Sequence, residues 1–448
     1  MHTLLQGDCI EVMRTMPDNS VDSLVTDPPA GISFMGKEWD DNKGGRDKWI
    51  AWLTEVMKEA YRVMKPGAHG LVWALPRTSH WTGMALENAG FEVRDRVAHI
   101  FGNGFPKSQN VGKAIDKSNN AEREVIGIYK TPDGRDYTKE KRGTNGKKSW
   151  AKSAGFSDSI KKRQITKAAT DEAKQWEGWG TALKPAMEDW WLIRKPLSEK
   201  TVAANVLKWG TGALNIDDCR IETLDMVQVS ASEGVPFGSN YEIGKGRKYR
   251  SEPQGRFPSH FIHDGSNEVI SNFPQTTSGK LQEHHKTGNA GLGIVQPRKK
   301  YNGEWGGDSG SASRFFYCAK ASTSDRDEGL QIDKNNHPTV KSTELMRYLC
   351  RLITPPNGII LDCFLGSGST GKGAVIEGFQ FIGIEKEKEY ISIAEKRITA
   401  KYLPLFQEPP RQPTQPAPDG GDSAPSQALS TPDMFSAIEH EPTPAPRR

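Results

Sequence analysis

Residues 21–31 read Val21-Asp22-Ser23-Leu24-Val25-Thr26-Asp27-Pro28-Pro29-Ala30-Gly31. Val21, Leu24 and Val25 are apolar and largely β-branched, which predicts a short buried strand. The two prolines end the strand, because neither can donate a backbone hydrogen bond. Asp27 is therefore expected at the carboxyl end of a strand, where open α/β sheets place their functional sites. A carboxylate beside donor-free backbone suits an amino group that donates its hydrogens, although an acidic residue before two prolines is also compatible with a simple loop corner.

Predicted helices and strands alternate in two further stretches, 47–93 and 336–400. The predicted strands lie at 70–75, 91–93, 359–362 and 379–385, and the predicted helices at 47–64, 81–89, 345–353 and 390–400. Strands that alternate with helices are typical of a parallel sheet covered by helices. The sequence therefore predicts an α/β fold.

A glycine-rich turn follows the predicted strand at 359–362. Gly366, Gly368 and Gly371 have the spacing Gly-x-Gly-x-x-Gly, which lets backbone approach a nucleotide closely and places anionic groups at a helix amino terminus. Glu385 ends the next strand, about 20 residues further on, where an acidic side chain can accept ribose hydroxyls. The glycine spacing alone also satisfies the dinucleotide pattern, so it does not decide which nucleotide is bound.

Taken together, the motifs resemble those of the amino-group DNA methyltransferases, which modify exocyclic nitrogens of adenine or cytosine. The matching motifs are Gly7-Asp8-Cys9, Asp27-Pro28-Pro29, His337-Pro338-Thr339-x-Lys341 and Asp362-x-Phe364-x-Gly366-x-Gly368. A catalytic motif that precedes the cofactor loop is the order of the β class of this family, and the chain resembles its phage or prophage members. The resemblance covers about 1–104 and 314–400. It implies a Rossmann-like, S-adenosylmethionine-dependent methyltransferase sheet with helices on both faces.

The resemblance also implies an activity and a set of site residues. The expected reaction is site-specific methylation of an exocyclic amino nitrogen on a base flipped out of double-stranded DNA. Asp27 and the main-chain oxygen of Pro28, followed by Pro29, would accept hydrogen bonds from that amino group. The implied cofactor-binding residues are Asp8, Cys9, His337, Thr339, Lys341, Asp362, Phe364, Gly366, Gly368, Thr370 and Glu385. Asp8 is also expected as a simple helix cap.

The catalytic motif departs from the family at one position and leaves the target base open. An aromatic residue that stacks on the flipped base normally stands where this chain has Ala30. We expect Phe34 to replace it, with Trp39 as the second candidate; packing of Phe34 under its own loop is the alternative. Aspartate at the head of the motif favours adenine N6 in this family, with cytosine N4 as the alternative.

The middle and end of the chain differ in composition from the rest. Residues 136–175 carry eleven Lys or Arg against five Asp or Glu, which is typical of a solvated insertion or of a surface for phosphates. The candidate phosphate contacts are Lys147, Lys148, Lys161, Lys162 and Arg163. Strands are expected at 190–195 and 314–318. The expected organisation is a catalytic half at 1–104, a target-recognition insertion at 105–313, a cofactor half at 314–404 and a disordered Pro-rich tail at 405–448.

Cysteine content and hydropathy bear on whether the protein binds zinc or enters membranes. The five cysteines are scattered, which favours a reduced protein without a zinc site. We see no basic-apolar leader and no apolar run of about 20 residues, so we expect a cytoplasmic protein that does not enter membranes. A homodimer is compatible with the sequence, and no endonuclease partner can be identified. The rival interpretations are an RNA or protein amino-group methyltransferase and an inactive DNA-binding relative.

Overall fold

The computed structural model describes residues 2–33, 38–104, 108–128, 164–222, 255–277, 309–320, 324–330, 335–337 and 339–405. Several sequence predictions lie outside the described residues. They are those for Phe34, Pro338, Lys147, Lys148, Lys161, Lys162, Arg163 and almost all of the tail at 405–448.

The described segments contain thirteen strands and ten α-helices. The strands are β1 (His2–Gln6), β2 (Val21–Thr26), β3 (Met64–Ala74), β4 (Glu92–Ile100), β5 (Val125–Ile128), β6 (Gln164–Thr166), β7 (Met187–Arg194), β8 (Phe261–His263), β9 (Gln275–Thr277), β10 (Ser309–Ser311), β11 (Tyr317–Cys318), β12 (Ile359–Asp362) and β13 (Gln380–Glu385). The helices are α1 (Cys9–Arg14), α2 (Arg46–Val63), α3 (Ser79–Asn88), α4 (Val111–Ser118), α5 (Asp171–Gln175), α6 (Val202–Trp209), α7 (Asn267–Ile270), α8 (Thr343–Ile353), α9 (Ser369–Ile376) and α10 (Lys388–Leu405).

Nine of these strands form one sheet, in the order β1-β13-β12-β2-β3-β7-β4-β8-β11. All neighbouring strands in it are parallel except at β7, which runs antiparallel to both β3 and β4. The strand β2, from the stretch that opens the sequence analysis, lies near the centre of the sheet, and all six of its residues are buried. Its three apolar residues pack in the core, and its three buried polar side chains are each hydrogen-bonded, Asp22 to Lys65, Ser23 to Thr354 and Thr26 to Asp362, as burial requires.

Helices cover both faces of the sheet, and the alternation of side chains along the strands shows how. Leu24 and Val72 pack in the cluster formed with α2 and α3, whereas Val25 and Leu71 pack in the cluster formed with α8. Each strand therefore contributes to two cores because successive side chains point to opposite faces. The predicted α/β sheet with helices on both faces is confirmed.

The region predicted as an insertion contributes directly to this sheet. Trp190, Leu192 and Ile193 of β7 are buried, and β7 lies between β3 and β4, with β8 on the far side of β4. The strand expected at 190–195 is thus present, but it belongs to the main sheet. The strand expected at 314–318 is wrong in its first half: residues Ala312–Phe315 form a 3-10 helix, and only β11 follows. A strand of two residues can form here because it only borders β8 at the sheet edge.

One part of the predicted insertion forms a small sheet beside two helices. The antiparallel strands β5 and β6 and the helices α4 and α5 are joined by Arg123, which donates to Asp116 at 2.6 Å, to Glu177 at 2.9 Å and to Thr166 Oγ1 at 3.0 Å. Among the helices that the structure describes, none is long and apolar enough to span a bilayer.

Candidate active site

The catalytic and cofactor motifs meet at one edge of the sheet. The strands β2 and β12 are parallel neighbours, so Asp27, which follows β2, and Asp362, which ends β12, lie at the same edge. The hydroxyl of Thr26 donates to Asp362 Oδ1 at 2.7 Å and joins the two strand ends. Glu385 ends β13, the next strand along. The edge therefore carries a row of acidic side chains.

The backbone after the prolines is fixed by the segment that follows it. The N–H of Gly31 donates to Asp40 Oδ1 at 2.9 Å, and the N–H of Ser33 donates to the Asp40 carbonyl at 2.8 Å. The hydroxyl of Thr78 donates to the carbonyl oxygen of Ala30 at 3.1 Å. Gly31 has φ +68°, and a Cβ there would stand 2.4 Å from the Trp49 indole nitrogen. Only glycine fits this corner, which closes tightly behind Asp27.

Asp27 is bound by a lysine from the other half of the chain. Lys341 Nζ donates to Asp27 Oδ2 at 2.8 Å, and their side chains are 12% and 20% exposed. Burial raises the pKa of Asp27, and the Lys341 ammonium opposes that rise. Burial likewise disfavours the ammonium, but Asp27 and Glu188 raise the pKa of Lys341 above its ordinary value. The site thus holds a nearly buried ion pair.

Glu188 is a third charged member of this cluster, which the sequence analysis missed. Its carboxylate lies 3.7 Å from Lys341 Nζ, and it accepts from the Trp73 indole N–H at 2.7 Å and bonds His99 Nδ1 at 2.8 Å. Burial disfavours its charged form, but Lys341 together with His99 and Trp73 lowers the pKa of Glu188 to about 2. The Lys341 ammonium also lies 4.2 Å from the centroid of the Trp73 ring. Asp27, Lys341, Glu188, Trp73 and His99 are called the catalytic-edge cluster below.

The glycine-rich turn forms a cradle between β12 and α9. Phe364 N–H donates to Asp362 Oδ1 at 3.1 Å, and Gly366 N–H donates to Glu385 Oε2 at 2.7 Å. Gly366 has φ +53°, and a Cβ there would stand 3.0 Å from His337 Nε2. Burial raises the pKa of Asp362 to about 6, against hydrogen bonds from Thr370 and Thr26. The turn thus exposes backbone between an imidazole and two carboxylates.

Aromatic rings join this cradle to the loop after the catalytic motif. His337 stacks on Trp39, with ring centroids 6.1 Å apart and planes at 16°, and meets Tyr390 edge-on at 4.7 Å. Trp39 therefore lies over the cofactor motif. Phe364 packs against Trp52, with ring centroids 5.9 Å apart. Thr339 is half-buried in the same segment as His337.

The amino-terminal motif adjoins the same edge. Gly7 N–H donates to the carbonyl of Glu385 at 3.0 Å, and Asp8 accepts from Ile10 N–H at 3.0 Å as the cap of α1. The interpretation of Asp8 as a helix cap is confirmed, and its role in cofactor binding stays a prediction. Cys9 is buried against the core below it.

A buried polar network supports the glycine-rich turn from below. Arg397 donates to the Ser367 carbonyl at 2.6 Å, and Lys372 donates to Asp325 Oδ1 at 2.5 Å and to Glu328 at 2.7 Å. Both cations are fully buried. Within the residues that the structure describes, no group of His, Cys, Asp and Glu side chains could hold a metal ion.

Comparison with known proteins gives the family. The model of the N6/N4 methyltransferase family, described as DNA methylase, matches residues 21–396. This chain belongs to that family. The methyltransferase M2.LlaDCHI of Lactococcus lactis is 47% identical over 62 residues, which are 14% of this chain and 23% of that protein. The DNA adenine methyltransferase YhdJ of Escherichia coli is 39% identical over 69 residues, 15% of this chain and 24% of YhdJ.

Solved structures of related proteins are similar at low identity. The complex of M1.HpyAVI with SAM has 15% identity and a TM-score of 0.35, covering 89% of this chain and all of that one. The cytosine-N4-specific PvuII DNA methyltransferase has 13% identity and a TM-score of 0.40, covering 90% of this chain and 92% of that one. The chain matches less than half the length of the curated relatives, 42% in one case and 23% in another.

Proposed function

We propose that this N6/N4 DNA methylase family member is a site-specific DNA methyltransferase that uses S-adenosylmethionine to methylate an exocyclic amino nitrogen, with adenine N6 as the preferred target. The observation that carries the proposal is the junction of β2 and β12. There Asp27, with its two prolines, stands one strand away from the glycine-rich turn, and Thr26 bonds Asp362. A methyl acceptor held at Asp27 and a methyl donor held at the turn would share one edge.

The cradle fits S-adenosylmethionine by the chemistry of its groups. Glu385, next to Gly366, offers the carboxylate that ribose hydroxyls require, and glycine at 366 and 368 gives the turn the left-handed backbone that this tight approach needs. The residues that would hold the cofactor are Asp8, Cys9, His337, Thr339, Asp362, Phe364, Gly366, Gly368, Thr370 and Glu385. When bound, the cofactor supplies an electrophilic methyl group on a sulfonium.

Lys341 is the member of the expected cofactor set that we reassign. Its ammonium bonds the Asp27 carboxylate at 2.8 Å and approaches Glu188. We therefore group it with the acceptor side of the site, whereas His337 and Thr339, from the same motif, stay with the cofactor.

Asp27 would act by orienting the acceptor. Its carboxylate and the main-chain oxygen of Pro28 accept hydrogens of the amino group, which turns the nitrogen lone pair away from the base plane. Because positive charge develops on that nitrogen as the new bond forms, hydrogen bonds to a carboxylate strengthen toward the transition state. Pro28 and Pro29 contribute no N–H that would compete for the carboxylate. Neither a covalent enzyme intermediate nor a cysteine nucleophile is needed.

Three finer parts of the proposal come from the sequence. Adenine is preferred because aspartate heads the catalytic motif, and the similarity to the adenine methyltransferase YhdJ supports it. Lys147, Lys148 and the cluster 161–163 are proposed to bind phosphates, and parts of 105–313 to select the recognition site. The motif order supports the β class, and phage or prophage origin rests on resemblance.

The direct test is methyl transfer from tritiated S-adenosylmethionine to duplex DNA, with RNA and protein as competing acceptors. We expect label in the duplex, and mass spectrometry of the digested DNA should detect N6-methyldeoxyadenosine. Label in RNA or protein alone, or no transfer to any acceptor, would overturn the proposal. N4-methyldeoxycytidine would keep the enzyme class and replace the target base.

A further inference from the structure

The contact between Lys341 and Asp27 involves only one of the two carboxylate oxygens of Asp27. Lys341 holds Oδ2, and no described residue donates to Oδ1. Lys341 lies just before α8, in the half of the chain that carries the cofactor motifs, 314 positions from Asp27. One oxygen is thus fixed from across the site, and the other stays available as an acceptor.

Lys341 is itself held in place from the opposite side. Glu188 lies 3.7 Å from its ammonium, and the Trp73 ring centroid lies 4.2 Å away. Glu188 cannot turn away easily, because Trp73 and His99 each bond one of its oxygens. An ammonium in such a setting keeps its position, since an ion pair with little exposure and fixed partners has few alternative geometries.

Most of the charged groups around Asp27 are acidic, so a cation beside it favours its ionised form. The charged groups that face Asp27 are Lys341, which precedes α8, Glu188 at the start of β7, Asp40 in the short helix at 38–40 and Asp362 at the end of β12. Three of these four are acidic. Burial and acidic neighbours both favour the protonated form of a carboxyl group, and the Lys341 ammonium in contact with Asp27 opposes that preference.

We propose that Lys341 is a positioning residue for Asp27: it keeps the Asp27 carboxylate ionised and holds Oδ2, so that Oδ1 accepts the hydrogen bond of the target amino group. This inference rests on the proposed function and deepens it. A protonated Asp27 would present a donor to an amino group that is itself a donor, and the base would be held poorly. Within the catalytic-edge cluster, Glu188 and Trp73 hold the Lys341 ammonium in the position where it opposes protonation of Asp27.

The test is the pH dependence of methyl transfer in Lys341→Met. Activity requires the Asp27 carboxylate, so it falls as the pH drops through the pKa of Asp27. Without the ammonium that pKa rises, and the acidic limb of the kcat/KM profile should move to higher pH by at least about one unit, as expected when an adjacent cation is removed. Lys341→Arg should keep the limb near its wild-type position. A limb that stays in place in Lys341→Met would overturn the inference.

A matched control removes a lysine from a similar ion pair on the same strand. Lys65 Nζ donates to Asp22 Oδ1 at 2.6 Å, at the opposite end of β2. Lys65→Met should lower stability without moving the limb. If Lys65→Met moves the limb as far as Lys341→Met does, the effect is structural and the inference is wrong.

A second measurement does not depend on activity. Protein labelled with carbon-13 at aspartate carboxyl groups, with the Asp27 signal identified by its absence in Asp27→Asn, reports the titration of Asp27 directly. We expect the midpoint to rise in Lys341→Met. If that variant does not fold, Lys341→Gln decides: it removes the same positive charge but keeps a polar side chain, so the midpoint should again rise, and an unchanged midpoint would contradict the inference.

Failure of this inference can be told apart from failure of the proposed function. If the wild-type protein transfers no methyl group to any acceptor, the proposed function fails, while the carboxyl titration still tests Lys341. If the wild-type protein methylates DNA but Lys341→Met leaves both the limb and the midpoint unchanged, the function stands and the role of Lys341 is wrong.

Discussion

The hydroxyl of Thr26 donates to the carboxylate of Asp362 at 2.7 Å, across 336 positions of the chain. Thr26 precedes Asp27, and Asp362 directly precedes the glycine-rich turn. This bond links the two halves of the site through neighbouring parallel strands. A shift of β12 relative to β2 would therefore move acceptor and donor motifs against each other.

Asp362 should make the stability of the protein depend on pH. Burial raises the pKa of Asp362 to about 6, above its unfolded value near 3.8. The folded state therefore holds a proton that the unfolded state releases, and this contribution to stability is complete below about pH 4 and is lost as the pH rises through 6. The decrease amounts to about 3 kcal/mol, from roughly 1.4 kcal/mol per pKa unit.

Urea denaturation of the wild-type protein and Asp362→Asn between pH 4 and 7 measures this effect. Asparagine cannot titrate in this range. The free energy of unfolding of the wild-type protein should therefore fall relative to that of Asp362→Asn as the pH rises from 4 to 7. A difference that is constant over this range would show that Asp362 is ionised in the folded protein at pH 4.

Two glycines with nearly the same φ angle allow the packing of the glycine-rich turn to be tested. Gly368 has φ +80° and Gly378 has φ +81°, but a Cβ at Gly368 would meet Ala394 Cβ at 2.8 Å, and one at Gly378 would meet nothing within 4 Å. Gly378→Ala should cost about 1–2 kcal/mol of stability through backbone strain alone. Gly368→Ala should cost more and should also weaken cofactor binding, measured by calorimetry. Equal effects of the two changes would contradict the packing described here.

The two aromatic candidates after the catalytic motif, Phe34 and Trp39, are expected to affect the binding of different ligands. Trp39 stacks on His337, so Trp39→Ala should weaken binding of S-adenosylmethionine more than binding of DNA. Phe34→Ala should instead weaken binding of duplexes with an extruded base, because base stacking is worth about 1–3 kcal/mol. Titrations with a fluorescent base analogue and with cofactor measure both. The reverse pattern would assign the base-stacking role to Trp39.

The Lys- and Arg-rich stretch at 136–175, called the basic run here, should contribute to the salt dependence of DNA binding. Replacing Lys161, Lys162 and Arg163 together by alanine should reduce the slope of log K against log salt by up to about 0.9 for each phosphate that the variant no longer neutralises. The matched control replaces three exposed cations elsewhere, Arg14, Lys58 and Lys388. If the control lowers the slope as much, the basic run is a solvated segment that does not bind DNA.

The sequence was sufficient for parts of the site that lie within single strand–turn units. Asp27 follows its strand, and Glu385 meets Gly366, as the local patterns indicate. Glu188 and Trp73 were not predicted, because their role depends on the insertion of β7 between β3 and β4, and nothing in the local pattern of 187–194 names its neighbours.

The position of Lys341 could not be predicted from the sequence either. Its motif pointed to the cofactor, but its long side chain reaches Asp27 across the sheet edge. Such a contact depends on tertiary structure that spacing in the chain does not encode. The acidic pair directly before the paired tryptophans of β7 was the available signal for Glu188, since a charge at the start of a buried strand needs a partner.

The most direct measurement compares methyl transfer to duplex DNA by the wild-type protein and by Asp27→Asn, with cofactor affinity measured for both. Asparagine keeps the shape of the side chain but cannot accept two amino hydrogens as an anion. We predict a fall in kcat of at least about 10²-fold, the scale of removing one transition-state hydrogen bond, with cofactor affinity within a few-fold of the wild-type value. Wild-type turnover in Asp27→Asn would contradict the account.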